Sequence, residues 1–273
     1  MLGGVLRGAL TRLRRAWFWA RHDRDAERYV VRLAGVRMSL PPRYLDHFVF
    51  SDYEPLSRRM LARYLEPGMH VVDVGAHIGW YSVLAGRAIG STGLVDAVEP
   101  WPENVEFLRA NIALNDLENV RVHTVAAGTA SGKRAFNITE ASDSHGFFAH
   151  PLAATTQQID VEVVPLDDLV EAPAELAKID VEGAELDVLE GMRGLIEASE
   201  RLSLLVEWNP SCQRSAGRDP LELPGRLREL GFDELTVFDD RAGRVLDLDE
   251  ASRIASRPDV PDLWYTNIWA RRG

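Results

Sequence analysis

The sequence has one cysteine, Cys212, among its 273 residues. It therefore excludes an intrachain disulfide and a cysteine-based zinc site, and it is typical of a reducing compartment. The seven histidines show neither His-Glu-x-x-His nor His-x-His spacing, so no metal is predicted, although a site built from carboxylates stays open. No apolar run approaches the about 18–20 residues of a membrane-spanning helix. We expect a cytoplasmic protein.

Basic residues are scarce outside the N-terminal region. The formal net charge is −11, yet residues 1–43 hold ten arginines and three acids, a local charge of +7. The remainder therefore carries −18. Because nucleic-acid binding requires basic faces that neutralise phosphates, the acidic main body argues against a nucleic-acid partner.

Two phosphate-binding patterns are missing as well. The chain contains no P-loop of the form Gly-x-x-x-x-Gly-Lys-[Ser/Thr], and its glycine turn reads Asp-x-Gly-x-x-x-Gly rather than the Gly-x-Gly-x-x-Gly of dinucleotide enzymes. His77 stands where a middle glycine would let a pyrophosphate approach. This spacing disfavours a nicotinamide cofactor without excluding it.

A strand, a glycine turn and a helix start are nevertheless present at residues 71–79, VVDVGAHIG. Gly75 lets the backbone approach a ligand, and Gly79 opens an amphipathic helix whose first N–H groups are free. A second apolar strand, Leu94 to Val98, ends in Glu99, where an acid can accept hydrogen bonds from ribose hydroxyls. Asp73 on the first strand suits a ligand with a cationic head. An ordinary β-turn-α unit with chance glycines is the alternative interpretation.

Three segments together resemble the FkbM family of S-adenosylmethionine-dependent methyltransferases: VVDVGAHIGWYS, AVEPWPENVEFLRANIALN (97–115) and KIDVEGAELDVLEGM (178–192). The resemblance covers roughly residues 48–210, and the last segment is the most specific to the family. It implies S-adenosyl-L-methionine as cofactor and O-methylation of a glycan, glycolipid or natural-product hydroxyl. The predicted cofactor-binding residues are Asp73, Gly75, Ala76, His77, Gly79, Glu99, Pro100, Trp101 and Ala126. Among them, Trp101 could stack on adenine and Ala126 would leave room for its ring.

The remaining pattern predicts an α/β fold with a doubly wound, mostly parallel, seven-stranded sheet. We divide the chain into a basic amphipathic helix (1–25), lead-in strands and a helix (26–66), and a Rossmann-like methyltransferase domain (67–273). Residues 131–165 lack helical periodicity and are predicted to form a lid-like antiparallel insertion. Strands are predicted at 70–74, 94–98, 120–125, 176–180, 203–208, 234–238 and 263–270.

Three residues are candidates for the chemistry of the acceptor. Asp180 and Glu207 each follow or end a buried strand, so both can face one cleft at the carboxyl edge of the sheet. Burial of such a pair would raise at least one pKa, which suits a general base. His145, in the predicted lid, titrates near neutrality and could assist. Structural pairing or simple solvation are the alternatives for all three.

Residues 2–20 form a basic amphipathic pattern with tryptophans at 17 and 19. Such a helix either docks peripherally on an anionic membrane or packs on its own domain or a partner subunit. Docking would favour a lipid-linked acceptor. An N-methyltransferase, a nicotinamide-dependent Rossmann oxidoreductase and a non-catalytic binding module remain as alternative functions, and the oligomeric state stays open.

Overall fold

A computed structural model describes residues 2–141, 144–257 and 264–272, with only the backbone described for residues 2–10. An N-terminal helix, α1 (Leu2–Trp19), precedes an antiparallel hairpin of β1 (Tyr29–Leu33) and β2 (Val36–Leu40). A single π-helical turn, Asp46–Phe50, then leads into α2 (Pro55–Tyr64). Within the described residues, no helix is long and apolar enough to cross a membrane.

The central sheet begins with alternating strands and helices. These are β3 (His70–Val74), α3 (Trp80–Ile89), β4 (Leu94–Val98), α4 (Pro102–Leu114) and β5 (Val120–His123). A short strand follows, β6 (Ala126–Ala127), and then two long strands, β7 (Gly132–Thr139) and β8 (Thr155–Val164). The last two pair antiparallel within the segment predicted as an insertion, and they form a separate small sheet with β6, which precedes that segment.

The chain then returns to the central sheet. Its remaining elements are β9 (Leu176–Ile179), α5 (Glu185–Glu190), α6 (Arg193–Ala198), β10 (Ser203–Trp208), α7 (Pro210–Ser215), α8 (Glu222–Glu229), β11 (Glu234–Asp239), β12 (Arg244–Leu246), α9 (Leu248–Ala255) and β13 (Thr266–Arg271). The strand order is β12-β11-β13-β10-β9-β3-β4-β5. Strands β10, β9, β3, β4 and β5 run parallel; β13 lies antiparallel between β10 and β11, and β12 pairs antiparallel with β11.

The predicted fold class is confirmed, with eight strands in place of seven. The extra edge strand, β12, has three residues and pairs with β11 across a short turn, too brief for its pattern to stand out in the sequence. Predicted strand 263–270 begins outside the described residues and is observed as β13.

Both faces of the sheet are buried, as a doubly wound fold requires. Val71 and Val95 join the apolar cluster that includes α3, α4 and the lead-in segment, whereas Val72 and Val74 join the cluster on the α5 and α6 side. Because successive strand residues point to opposite faces, the valines of β3 serve both layers. The carboxyl ends of the parallel strands therefore converge at one edge of the sheet.

The packing of α1 differs from the apolar face that its periodicity defines. Phe18 is the buried anchor, with its ring against those of Tyr29 and Phe50. Leu13 and Trp17, on the predicted apolar face, are 67% and 59% exposed. Ala16 and Ala20 of that face are exposed as well, and its other residues precede residue 11, where side chains are outside the described part of the chain.

Candidate active site

The glycine turn after β3 is tied to the neighbouring strand by its backbone. The N–H groups of Gly75 and Ala76 both donate to the carbonyl of Val98, at 2.9 and 3.0 Å. Gly75 has φ of +77° and His77 has φ of +55°, so the chain turns sharply at the mouth of the sheet. The turn thus stands directly beside the end of β4.

Glu99, which follows β4, binds the backbone of the glycine turn and of its own loop. Its carboxylate accepts the N–H of His77 at 2.8 Å and the N–H of Trp101 at 3.0 Å. The side chain is buried, and burial raises its pKa to about 7 despite those two hydrogen bonds. A carboxylate so fixed can accept further hydrogen bonds from a diol in the adjoining cleft.

Asp73 occupies the floor of the same cleft. Its Oδ2 accepts a hydrogen bond from the Ser82 hydroxyl at 2.5 Å, whereas its buried Oδ1 has no hydrogen-bond partner among the residues that the structure describes. Burial raises the pKa of Asp73. An unsatisfied buried carboxylate oxygen favours a ligand that brings a cation or a donor.

These residues line what we call the first cleft, which encloses about 870 Å³ counted with the solvent at its mouth. Seven of the nine predicted cofactor residues line it: Asp73, Gly75, Ala76, His77, Glu99, Pro100 and Ala126. Ala127, Phe136 and Phe147 also line the cleft and form an apolar wall, in which the two phenyl rings lie edge-on to each other. The small alanines and the aromatic wall suit a planar ring such as adenine.

The other two predicted cofactor residues do not line the cleft. A Cβ on Gly79 would stand 2.5 Å from Cδ1 of Leu108, so this glycine serves the packing of α3 against α4. Trp101 contributes its backbone N–H to Glu99, and its indole lies edge-on to the His145 ring, with centroids 4.4 Å apart. The Trp101 ring thus packs beside His145 and does not line the cleft in this structure, and its stacking on adenine stays a prediction.

Asp180 lies at the end of β9, at the border between the first cleft and a second one. Its N–H donates to the carbonyl of Val74, and its Oδ2 accepts from the ammonium of Lys178 at 2.9 Å. The second cleft is bounded by the π-helical turn, the lid and the strand ends, and it includes Glu207, Asn209 and His150. Tyr53, Asp180 and Glu182 line both clefts, so the two are continuous at these residues.

Glu207 is buried on β10 and faces the same junction. Burial raises its pKa well above the ordinary value, and the nearby charges of Asp180 and Glu182 raise it further. The two strand-end acids thus share one site, as their positions in the sequence predict. Glu185, by contrast, caps the turn, because its Oε1 accepts the N–H groups of Val181 and Gly183.

His145 lines the first cleft beside Trp101. Its Nδ1 accepts the N–H of Thr139 at 3.1 Å, which places the proton of the neutral ring on Nε2. In that tautomer the imidazole presents a donor to the cleft. The geometry therefore suits a wall or a hydrogen-bond donor, and the assisting-base role of His145 stays a prediction.

Three residues that line the clefts, Lys178, Tyr53 and Glu54, are absent from the sequence-based list. Lys178 is buried on β9, with its ammonium 4.9 Å from the centre of the Tyr81 ring. Burial by itself would lower the pKa of Lys178, but the surrounding carboxylates Asp180, Asp73 and Glu54 raise it. The chain has only two lysines, and this one interrupts an apolar strand, which is the signal that could have identified it.

Tyr53 and Glu54 come from the lead-in segment. Glu54 has φ of +43° and is buried, and its carboxylate accepts from the Tyr81 hydroxyl at 2.5 Å and from Asn267 Nδ2 at 3.0 Å. Burial raises its pKa to about 7. Only the tertiary fold brings residues 53 and 54 to the strand ends, so local pattern could not have marked them.

Comparison with known proteins agrees with this geometry. A family model described as the methyltransferase FkbM domain matches residues 73–234, more than half of the sequence. The chain belongs to this family. The matched range begins at Asp73 and contains every predicted site residue.

Two similar proteins match this chain over only part of their own length. Methyltransferase 1 of Beauveria bassiana is 27% identical over 144 residues, which make up 45% of this chain and 57% of that protein. The crystal structure of methyltransferase FkbM from Methylobacillus flagellatus KT has 21% identity and a TM-score of 0.47, covering 74% of this chain and 43% of that one. The chain thus spans about half the length of these relatives.

A third relative matches over most of both chains. M. jannaschii TYW2, crystallised in complex with AdoMet, has 15% identity and a TM-score of 0.51, and the match covers 92% of this chain and 90% of that chain. The similarity supports the α/β methyltransferase fold. S-adenosylmethionine is the cofactor of the FkbM family, so the predicted cofactor is confirmed at the level of the family.

Proposed function

We propose that this protein is an S-adenosylmethionine-dependent methyltransferase that O-methylates a hydroxyl of a glycan, glycolipid or natural product. The observation that carries the proposal is the junction of the two clefts at Tyr53, Asp180 and Glu182. A cofactor in the first cleft and an acceptor in the second would meet beside the Asp180 carboxylate. Family membership favours this function over a nicotinamide-dependent oxidoreductase.

The residues of the first cleft fit the cofactor. Glu99 is fixed by two backbone N–H groups to receive ribose hydroxyls, and the unsatisfied Oδ1 of Asp73 suits the ammonium of the aminoacyl group. The apolar wall of Ala127, Phe136 and Phe147 suits adenine. When bound, the cofactor supplies a methyl group on a positively charged sulfur, which makes that carbon electrophilic.

On the acceptor side, the protein's task is to align the hydroxyl, exclude water and receive a proton. Asp180 is the proposed proton acceptor, with Glu207 or His145 assisting. Lys178 fixes Oδ2 of Asp180 through their 2.9 Å contact, so the carboxylate is held at the junction.

The test is transfer of an isotopically labelled methyl group to cell extract, followed by mass spectrometry of the labelled product. We expect the label on an oxygen, and expect Asp180→Asn to lose transfer while it still binds the cofactor in calorimetry. Label on nitrogen would identify the N-methyltransferase alternative. Binding of a pyridine dinucleotide with no binding of S-adenosylmethionine would overturn the proposal.

A peripheral membrane location is the second part of the proposal. Leu13 and Trp17 are exposed on the same face of α1, one helical turn apart, and the guanidinium of Arg21 lies 4.2 Å from the Trp17 ring centre. The local charge of +7 complements an anionic lipid surface. Because Thr11 and Arg14 of this helix line the second cleft, docking would bring that cleft towards lipid-linked acceptors.

A further inference from the structure

Three carboxylates converge at the junction of the two clefts. Asp180 and Glu182 follow β9, and Glu207 lies on the adjacent strand β10; each has a carboxylate oxygen within 4.8 Å of the others. They come from two neighbouring parallel strands whose register aligns their carboxyl ends. Such a set of oxygen ligands is what magnesium and manganese prefer.

The second observation is an unsatisfied atom inside this cluster. Glu207 is 6% exposed, and its Oε2 has no hydrogen-bond partner among the described residues. Asn267, which pairs with Glu207 across β10 and β13, also has a buried Oδ1 without a partner in that part of the chain. Two neighbouring buried acceptors without donors call for a bound cation or a proton.

The charge of the site favours the cation. Three carboxylates carry −3 when ionised, and Lys178 contributes +1 through its contact with Asp180. Because Lys178 also faces Asp73 and Glu54, much of the negative charge of the cluster is left over, and a divalent ion would lower it by two, whereas a proton would lower it by one. His150 Nε2 lies 4.0 Å from Glu182 Oε2, at the edge of the cluster.

We propose that Asp180, Glu182 and Glu207 bind a divalent cation of the magnesium or manganese class, which in turn binds the acceptor through two adjacent oxygens. The inference rests on the proposed function for its substrate class. An ion with three protein ligands keeps open positions for acceptor oxygens. A hydroxyl bound to such an ion would lose its proton at lower pH, so a weaker base would suffice for the transfer.

The first experiment needs no acceptor. Chelator-treated protein is titrated with Mn²⁺ alone at pH 7.5 and followed by electron paramagnetic resonance. We expect one equivalent bound per chain, at least about tenfold weaker binding in Glu207→Gln and in Glu182→Gln, and unchanged binding in Asp52→Asn. Asp52 lines the same second cleft but lies outside the cluster, so this variant controls for general charge.

Urea unfolding of each variant checks that weaker binding is not loss of fold. No bound Mn²⁺, or equal binding by Glu207→Gln and wild type, would overturn the proposal. So would binding of zinc alone that depends on Cys212, because it would assign the metal to the neighbouring group His150, Glu182 and Cys212.

A second measurement separates this proposal from the methyltransferase function. Methyl transfer at the full rate in the presence of a chelator would overturn the proposed cation site but would leave the proposed methyltransferase function standing. The opposite result is that the three carboxylates bind Mn²⁺ but the protein has no affinity for S-adenosylmethionine. It would overturn the proposed function and leave the proposed cation site standing.

Discussion

Gly75 lies against the backbone carbonyl of Asp180: a Cβ at Gly75 would stand 1.8 Å from that oxygen. The glycine turn after β3 and the end of β9 are therefore in direct backbone contact. Any side chain at residue 75 would push the two halves of the site apart. Glycine is required here both by this contact and by a φ of +77°.

The Gly75→Ala variant separates these two requirements. We expect it to destabilise the fold by about 1–3 kcal/mol more than Gly68→Ala, because backbone atoms must move. Gly68 is the matched control: its φ is +88°, but its Cβ would meet only Thr92 Oγ1, at 3.6 Å. Urea unfolding measures both. Equal losses of stability would show that the contact with Asp180 relaxes without cost.

Cofactor binding should depend on pH through Glu99. Its pKa of about 7 is raised from the ordinary value, so the carboxylate needed to accept ribose hydroxyls is mostly protonated at pH 6 and mostly ionised at pH 8. We expect affinity for S-adenosylmethionine to rise by up to about tenfold over this interval. Calorimetry at several pH values should show a flat profile in Glu99→Gln. A wild-type profile that falls with pH contradicts this assignment.

The buried Lys178 should be essential to the fold and the exposed Lys133 should not. Lys178→Met leaves the carboxylates of Asp73, Asp180 and Glu54 without their buried cation, at a cost of about 3–5 kcal/mol. Lys133→Met, on β7, should change stability by less than about 0.5 kcal/mol. Thermal unfolding compares the two variants. If both behave like wild type, the carboxylates are neutralised in another way.

Asp96 on β4 links its strand to both neighbours, because its carboxylate contacts His70 on β3 and His123 on β5. Its fully buried carboxylate lies 2.7 Å from both His70 Nε2 and His123 Nε2. Burial by itself would raise the pKa of Asp96, but these two contacts and the charge of Arg121 keep that pKa well below its usual range. Asp96→Asn should therefore cost about 3 kcal/mol of unfolding free energy.

The loss of stability in Asp96→Asn should depend on pH. Burial would lower the pKa of His70, but its hydrogen bond to Asp96 raises it overall. A histidine with a raised pKa contributes its full stability below about pH 6.5 and loses it as pH rises through the folded-state pKa. Urea titrations should show a larger difference between wild type and Asp96→Asn at pH 6 than at pH 9. A difference that grows with pH would exclude this role of His70.

Membrane docking should require the exposed apolar pair of α1. Leu13→Ser combined with Trp17→Ser should weaken sedimentation with vesicles of anionic phospholipid by at least about tenfold. Val245→Ser removes a comparably exposed apolar side chain from β12 and is the control. Binding should also weaken with added salt. Undiminished vesicle binding by the double variant would point to another surface.

The sequence determined the cofactor half of the site, because that half is built from local features. A strand, a turn with a positive φ and an acid after the next strand lie within about thirty residues, and their spacing alone places Asp73, Gly75 and Glu99 around one cleft. Alternation of strands and helices likewise determined the doubly wound sheet. Gly79 and Trp101 do not line this cleft, because each packs against a side chain of another element, Leu108 and His145 respectively, and the spacing of the turn does not report such packing.

Only the tertiary structure decided the acceptor half. Glu54 and Lys178 are 124 residues apart in sequence, and Glu207 meets Asp180 and Glu182 through the pairing of β9 with β10. Periodicity reports which face of an element is buried, but it does not report which distant side chain shares that burial. Charge neutralisation inside the site is set by such long-range neighbours, and so it became visible only in the folded chain.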